Sequence, residues 1–170
     1  MRQYKSPFVG PTHISTMQSL LAVGLRAHTP CAIALAPSCS QTDWAVVPST
    51  RGRSQFSDMV TRLAKNPRSR VPVEYVGSPG VRALDPSAWA VPASVPPHRQ
   101  LLLIDDSWVS GAHAQSVASA MKMAGYDEVS ILTAGRVLEP SYGANKTFID
   151  GLGAPFDWRC CPWTGGDCPG

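Results

Sequence analysis

The sequence predicts a single-domain, three-layer α/β fold with a central parallel sheet. "LLLIDD", residues 101–106, is an apolar run long enough to form a strand that is buried on both faces. A helical pattern of apolar residues follows over 114–124, and "EVSILTAG", residues 128–135, then has the composition of another strand. Strand, helix and strand joined by short connections form a βαβ unit, and such a unit implies parallel strands.

The first half of the chain supplies further elements. Residues 12–25 repeat apolar side chains at helical spacing and predict a first helix. "WAVVPST", residues 44–50, is the preferred strand because it is apolar, partly β-branched and closed by a proline, whereas "CAIALA", 31–36, is a weaker alternative. Residues 56–63 place apolar side chains at i, i+3, i+4 and i+7, which predicts an amphipathic helix.

The second half contains one strand, an irregular segment and an irregular tail. "VPVEYVG", residues 71–77, predicts a strand. Residues 78–100 hold five of the sixteen prolines and no convincing periodicity, so we expect a lid that closes over a site, with Arg82 reaching in. The core of the domain is expected over residues 12–138, and residues 139–170 form a small C-terminal tail rich in cysteine and tryptophan.

Composition limits the class of protein. A chain of 170 residues with 44% hydrophobic and 16% charged residues is expected to fold as one globular domain, 1–170. The net charge of +3 gives no strong signal for nucleic-acid binding. No apolar run is long enough for a membrane span, and the N-terminus lacks the apolar segment of a signal peptide, so we expect a cytoplasmic protein.

A pair of acids ends the predicted central strand and leads into a glycine turn. Asp105 and Asp106 repel each other unless a cation or a polyhydroxyl ligand shares their site. The turn at Gly111 opens a helix, whose first N–H groups can bind an anion. An anion at the turn, with hydroxyls or Mg²⁺ at the carboxylates, describes a sugar phosphate as the ligand.

These residues resemble a known family. "LLLIDDSWVSGA" resembles the phosphoribosyl pyrophosphate (PRPP) loop of type I phosphoribosyltransferases, and "AVVPSTRGR" is similar to the pyrophosphate-loop region of the ComF-like members. The resemblance covers residues 44–138. It implies that Asp105 and Asp106 hold the ribose hydroxyls and Mg²⁺, directly or through water.

The resemblance also implies a set of PRPP-binding residues. The loop from Ser107 to His113 would wrap the 5′-phosphate, and the "STRGR" loop would meet the pyrophosphate. The residues concerned are Ser107, Val109, Ser110, Gly111, Ala112, His113, Arg51, Gly52 and Arg53.

Three positions depart from the family pattern. Trp108 stands where a smaller aliphatic residue is usual, and His113 stands where the family generally has Thr or Ser. Val109 occupies the place at which 6-oxopurine salvage enzymes carry an Asp general base. We therefore expect no activity on 6-oxopurines.

The function implied by the resemblance is transfer of a phosphoribosyl group from PRPP to an unidentified nitrogen acceptor, with Mg²⁺ as cofactor and release of pyrophosphate. A non-catalytic PRPP-binding regulator and a ComF-like accessory protein of DNA uptake are alternatives. The expected partners are PRPP and a small-molecule acceptor, and a homodimer is an open alternative to a monomer.

The acid pair has two other interpretations. A receiver domain of a response regulator carries such a pair on its first strand, but only 64 residues follow Asp106, fewer than that domain needs. An acid pair at a solvated strand end can also cap a helix. The glycine turn and the "STRGR" loop favour the ligand site.

The five cysteines are expected to be thiols in a reducing compartment. Cys31 and Cys39 are interpreted as packing residues. Cys160, Cys161 and Cys168, with one histidine, could bind zinc, but their spacing lacks the CxxC pattern of structural zinc sites. We therefore expect thiol packing in the tail and less than stoichiometric zinc. Phe156, Trp158 and Trp163 could stack on a base or simply cover apolar surface.

Overall fold

The computed structural model describes residues 11–64, 66–78, 80–81, 83–153, 155 and 157–169. This part of the chain contains five helices and five strands. The helices are α1 Pro11–Ala22, α2 Thr29–Ala34, α3 Gln55–Leu63, α4 Ala112–Met123 and α5 Asn145–Asp150. The strands are β1 Gln41–Val46, β2 Glu74–Tyr75, β3 Trp89–Ala90, β4 Arg99–Asp105 and β5 Glu128–Thr133. Two 3₁₀ turns cover Pro67–Ser69 and Pro86–Ala88, and a π-helical turn, Val23–Ala27, extends α1.

A parallel three-stranded sheet forms the centre of an α/β fold, as the sequence predicts. Its strand order is β1, β4, β5, with Ala45 opposite Leu103 and Leu103 opposite Ile131. The segment after α3 adds a partial fourth strand, because the amide of Val71 donates to the carbonyl of Trp44 at 2.8 Å. Strands β2 and β3 form a separate antiparallel pair.

Alternating side chains of the sheet build a core on each of its faces. On one face, Trp44, Leu102 and Ile104 pack with residues of α1 and α3, including Leu21 and Val60. On the other face, Ala45, Leu101 and Leu103 pack with Val117 and Met121 of α4 and with Trp89 of β3. Period-two alternation of a strand buried on both faces produces this three-layer arrangement.

Two predicted elements differ from the structure. The alternative strand at 31–36 is wrong, since residues 29–34 form helix α2, with Pro30 in the first turn where its missing N–H costs nothing. The strand predicted over 71–77 is reduced to β2, because Val71 pairs with the edge of β1 while Tyr75 pairs with Trp89. A chain that changes partners within four residues cannot form one regular strand.

The segment predicted as a lid packs against α4. The buried hydroxyl of Ser116 accepts a hydrogen bond from the amide of Asp85 at 2.8 Å, and the amide of Val95 donates to the carbonyl of Ala124 at 2.9 Å. Trp89 is buried in the core. Residues 83–98 therefore contribute to the layer that covers the sheet. The lid stays a prediction, and Arg82 lies outside the described residues.

None of the helices in the described ranges has the length and hydropathy needed to cross a bilayer.

Candidate functional site

A cleft of about 400 Å³ lies beyond the carboxyl ends of β1 and β4. Parallel strands bring the loops that follow them to one edge of the sheet, which is where open α/β sheets bind ligands. The cleft is lined by Val47, Pro48, Ser49, Thr50, Arg51, Arg53, Phe56, Ser57, Asp105, Asp106, Ser107, Val109, His113 and Val137. The structure thus brings together two loops that are more than 50 residues apart in sequence.

The acid pair sits at the end of β4 and is half-buried. The Asp105 carboxylate accepts a hydrogen bond from the Asp106 amide at 2.8 Å, and the Ser107 hydroxyl donates to the Asp106 carboxylate at 2.7 Å. The carbonyl of Asp105 also accepts from the amide of Ala134, next to β5, at 3.1 Å. These contacts hold the backbone of the pair while both carboxylates line the cleft.

The loop after β1 supplies the positive charge of the cleft. The amide of Gly52 donates to the carbonyl of Ser49 at 3.0 Å, and Gly52 has a φ of +67°, so residues 49–52 form a tight turn. Arg51 and Arg53 flank this glycine, are exposed and line the cleft. Two guanidinium groups and two carboxylates therefore share one cleft, as a ligand with both anionic and hydroxyl groups requires.

Backbone hydrogen bonds to the segment after β5 fix the position of the turn that follows the acid pair. The amide of Trp108 donates to the carbonyl of Gly135 at 2.9 Å, and the amide of Val137 donates to the carbonyl of Trp108 at 2.8 Å. The amides of Val109, Ser110 and Gly111 form no hydrogen bond with another described residue. Amides at the start of a helix such as α4 are available to an anion.

Gly111 is required by geometry. Its φ is +77°, and a Cβ at this position would lie 2.3 Å from the indole ring of Trp108. The Trp108 ring therefore packs directly over the glycine, which explains how a large aromatic residue fits into this short turn. Gly111, Ser110 and Ala112 shape the turn but do not line the cleft, and Gly52 acts in the same way in the opposite loop.

His113 is positioned by aromatic neighbours. Its ring centroid is 5.5 Å from that of Trp89 and 6.2 Å from that of Tyr75. Its Nε2 donates to the carbonyl of Val81 at 3.2 Å. The imidazole thus lines the cleft while one of its nitrogens is occupied, so only Nδ1 is left to face a ligand.

Sequence reasoning did not identify Ser57 and Val137 as lining residues. Ser57 lies in the first turn of α3, and its hydroxyl accepts a hydrogen bond from the Arg70 guanidinium at 2.8 Å. Val137 reaches the cleft through its pairing with Trp108. The only signal for Ser57 in the sequence was its position four residues after Arg53, in a helix that begins beside the site.

Comparison with protein-family models and with curated proteins found no match. Among solved structures, a hypoxanthine phosphoribosyltransferase from Staphylococcus aureus aligns over 72% of this chain and 73% of its own, with 9% identity and a TM-score of 0.40. A hypoxanthine-guanine phosphoribosyltransferase from Bacillus anthracis aligns over 70% and 68%, with 12% identity and a TM-score of 0.39. Likenesses with TM-scores this low carry no functional argument.

Proposed function

We propose that the cleft binds PRPP and that the protein transfers the phosphoribosyl group to a nitrogen acceptor. The observation that carries this proposal is the shared lining of one cleft by Asp105, Asp106, Arg51 and Arg53. The resemblance of both loops to those of phosphoribosyltransferases supports it, because the two motifs come from distant parts of the chain and meet at one edge of the sheet.

Each part of PRPP has a chemical counterpart in this arrangement. The carboxylates accept hydrogen bonds from the 2′ and 3′ hydroxyls of the ribose. The 5′-phosphate binds at the start of α4, where Val109 lines the cleft and the turn that Ser110 and Gly111 shape presents its amides. Arg51 and Arg53 bind the pyrophosphate, since a guanidinium matches phosphate oxygens in both charge and geometry.

The residues of the cleft fit a magnesium ion. Mg²⁺ takes oxygen ligands and commonly uses one or two protein carboxylates together with waters and substrate phosphates. Asp105 and Asp106 supply such carboxylates, directly or through water, next to the proposed pyrophosphate position. When bound, the ion would neutralise charge on the leaving pyrophosphate.

The reaction forms a bond between the acceptor nitrogen and C1 of the ribose and breaks the bond from C1 to the pyrophosphate oxygen. Positive charge develops on the ribose ring in the transition state. Asp105 and Asp106 would favour this charge, while Arg51 and Arg53 would offset the negative charge on the leaving group. The acceptor nitrogen gives up its proton to solvent or to Nδ1 of His113.

Calorimetry with PRPP tests the proposal. Wild-type protein is expected to bind PRPP more tightly with Mg²⁺ than without it. The double variant Asp105→Asn/Asp106→Asn is expected to bind more weakly and to lose most of this Mg²⁺ dependence, and any transferase activity should fall further than binding does. Asp58→Asn is the matched control, since Asp58 is exposed on α3 and does not line the cleft. Absence of PRPP binding at millimolar ligand would overturn the proposal.

A screen of bases for PRPP-dependent pyrophosphate release identifies the acceptor. Guanine and hypoxanthine are expected to yield no nucleotide, because Val109 provides no acid beside the base. Turnover with either base would contradict this expectation.

A PRPP-binding protein without catalysis is the second candidate. One observation favours it: among the described residues that line the cleft, only His113 remains to take a proton from an acceptor once Asp105 and Asp106 hold the ribose. PRPP binding without pyrophosphate release for any base would select this candidate over the enzyme.

A further inference from the structure

Four potential metal ligands lie close together outside the cleft. The nitrogen or sulfur atoms of His28, Cys31, Cys161 and Cys168 all lie within 4.8 Å of one another. Nδ1 of His28 is 4.0 Å from Sγ of Cys31 and 3.6 Å from Sγ of Cys168. None of the four residues lines the cleft.

Two short segments build the cluster. His28 precedes α2, and its carbonyl accepts from the amide of Cys31 at 3.1 Å, so the first turn of this helix brings both side chains to one side. In the C-terminal tail, the amide of Gly165 donates to the carbonyl of Cys161 at 2.8 Å, and the Cys161 amide donates to the carbonyl of Gly166 at 2.8 Å. This closed turn leads the chain back so that Cys168 approaches Cys161.

Neighbouring groups orient the histidine for metal binding. Its Nε2 is 2.9 Å from the carbonyl of Trp158. Because a carbonyl only accepts, Nε2 must carry the proton, and the lone pair of a neutral ring is then on Nδ1, the nitrogen that faces the sulfurs. A histidine that binds metal typically donates its other ring N–H to a carbonyl or carboxylate in this way. The indole of Trp163 also donates to the carbonyl of His28 at 2.9 Å.

The sulfur of Cys161 is surrounded by hydrogen-bond donors. The amides of Trp163 and Thr164 donate to it. His28, Cys31 and Cys161 are buried, and Cys168 is exposed. The cluster therefore has one side open to solvent, through which an ion can enter.

We propose that these four residues form a structural zinc site of the Cys₃His type. With Zn–S bonds of about 2.3 Å and Zn–N bonds of about 2.0 Å, neighbouring ligand atoms of a tetrahedral site lie roughly 3.5 to 3.8 Å apart. All four ligand atoms lie within 4.8 Å of one another, so each pair needs to approach by at most about 1.3 Å. Thiolate and imidazole ligands select zinc over Mg²⁺ or Ca²⁺.

The proposal replaces the expectation from sequence of thiol packing and substoichiometric zinc. That expectation rested on the spacing of the tail cysteines, whereas two of the four ligands come from a segment 130 residues earlier. Cys160 is not part of the set. Binding one Zn²⁺ releases the three thiol protons to solvent and involves no oxidation or reduction. Four protein ligands leave no open position, so the role is structural.

Metal analysis of the untagged full chain tests the site. Wild-type protein is expected to carry one zinc per chain after dialysis, and Cys168→Ser is expected to carry almost none. Cys160→Ser is the matched control, because Cys160 is exposed, adjoins Cys161 and lies outside the cluster. This control is expected to keep its zinc. Absence of zinc from wild type, or equal loss in both variants, would overturn the proposal.

Thiol reactivity provides a test that does not depend on whether a variant folds. In the native protein, Cys39 and Cys160 are expected to react quickly with a thiol reagent, and the other three cysteines are expected to react only after a chelator is added. Replacement of zinc by Co²⁺ is expected to give the intense visible absorption of a tetrahedral thiolate site. Early reaction of Cys168 in zinc-loaded protein, or a weak octahedral Co²⁺ spectrum, would contradict the site. Neither test involves PRPP, so the outcome is independent of the proposed function.

Discussion

At the scale of single residues, the two sites differ in how far the sequence reveals them. Asp105, Asp106 and the glycine turn are contiguous, and their chemistry follows from their order in the chain. His28 offers no such signal, because its role as a metal ligand depends on which cysteines the folded chain brings beside it. The same limit applies to Trp108, whose fit over Gly111 is visible only once the turn has a conformation. Residues that act locally can be predicted, and residues that act through distant contacts cannot.

Gly111→Ala is expected to destabilise the protein more than Gly80→Ala. Both glycines have a positive φ, +77° and +84°, so both substitutions carry the cost of a left-handed conformation, about 1 kcal/mol. Only at Gly111 does the new Cβ meet a neighbour, the Trp108 ring, whereas nothing lies within 4 Å at Gly80. We expect an additional loss of about 1 to 3 kcal/mol in the free energy of unfolding for Gly111→Ala.

Urea denaturation of the two variants measures this difference. Equal losses would show that the Trp108 ring moves away at no cost. PRPP binding is expected to weaken in Gly111→Ala only, since the amides of the turn must shift with the displaced ring.

At the scale of elements, the βαβ unit was predictable and the segment before it was not. β4, α4 and β5 each carry a complete local pattern, and Gly125 ends α4 with a φ of +113° as a glycine after a helix does. Residues 71–77 carry a strand pattern that the structure divides between two partners. Local composition favours an extended chain there, but tertiary contacts decide the pairing.

A hydrogen-bond network joins the amino ends of β1 and β4, and its contribution to stability depends on pH. The Asp43 carboxylate in β1 accepts from the Arg99 guanidinium at 2.6 Å and from the Tyr126 hydroxyl at 2.9 Å. Burial, and then the bond to Asp43, raise the pKa of Tyr126 above its ordinary value. The folded state therefore favours the neutral phenol, and this contribution to stability is complete below the pKa of the unfolded tyrosine, about 10.

Above pH 10 this contribution is expected to be lost progressively, since the unfolded chain releases the phenol proton before the folded chain does. The free energy of unfolding of wild type should fall more steeply between pH 9.5 and about 11 than that of Tyr126→Phe, which has no proton to lose there. Urea denaturation at several pH values provides the measurement. Parallel pH profiles for the two proteins would mean that Tyr126 titrates normally in the fold.

At the scale of the whole molecule, the sheet separates two neighbourhoods. The segment 83–98 packs with α4 on one face, in contact with the core around Trp89. The C-terminal tail lies with α1 and α2 on the other face, where Trp163 packs against the core that contains Leu21 and Ala32. The proposed zinc site joins the tail to α2 on this second face only. Loss of the ion should therefore affect the two faces differently.

Removal of zinc by a chelator is expected to speed hydrogen exchange mainly in α1, α2 and residues 157–169. Amides that exchange through local opening report the stability of their own neighbourhood, so those of α4 and residues 83–95 should keep their rates. The most protected amides of β4 exchange through global unfolding. They should also exchange faster without zinc, because zinc bound to the folded state adds to its overall stability. Exchange followed by mass spectrometry, with and without chelator, measures both effects.

Cys168→Ser should reproduce the chelator pattern without chelator, and Cys160→Ser should respond as wild type does. A uniform increase over both faces would show that the C-terminal tail and the α4 face unfold as one unit, and would contradict this separation of the two faces.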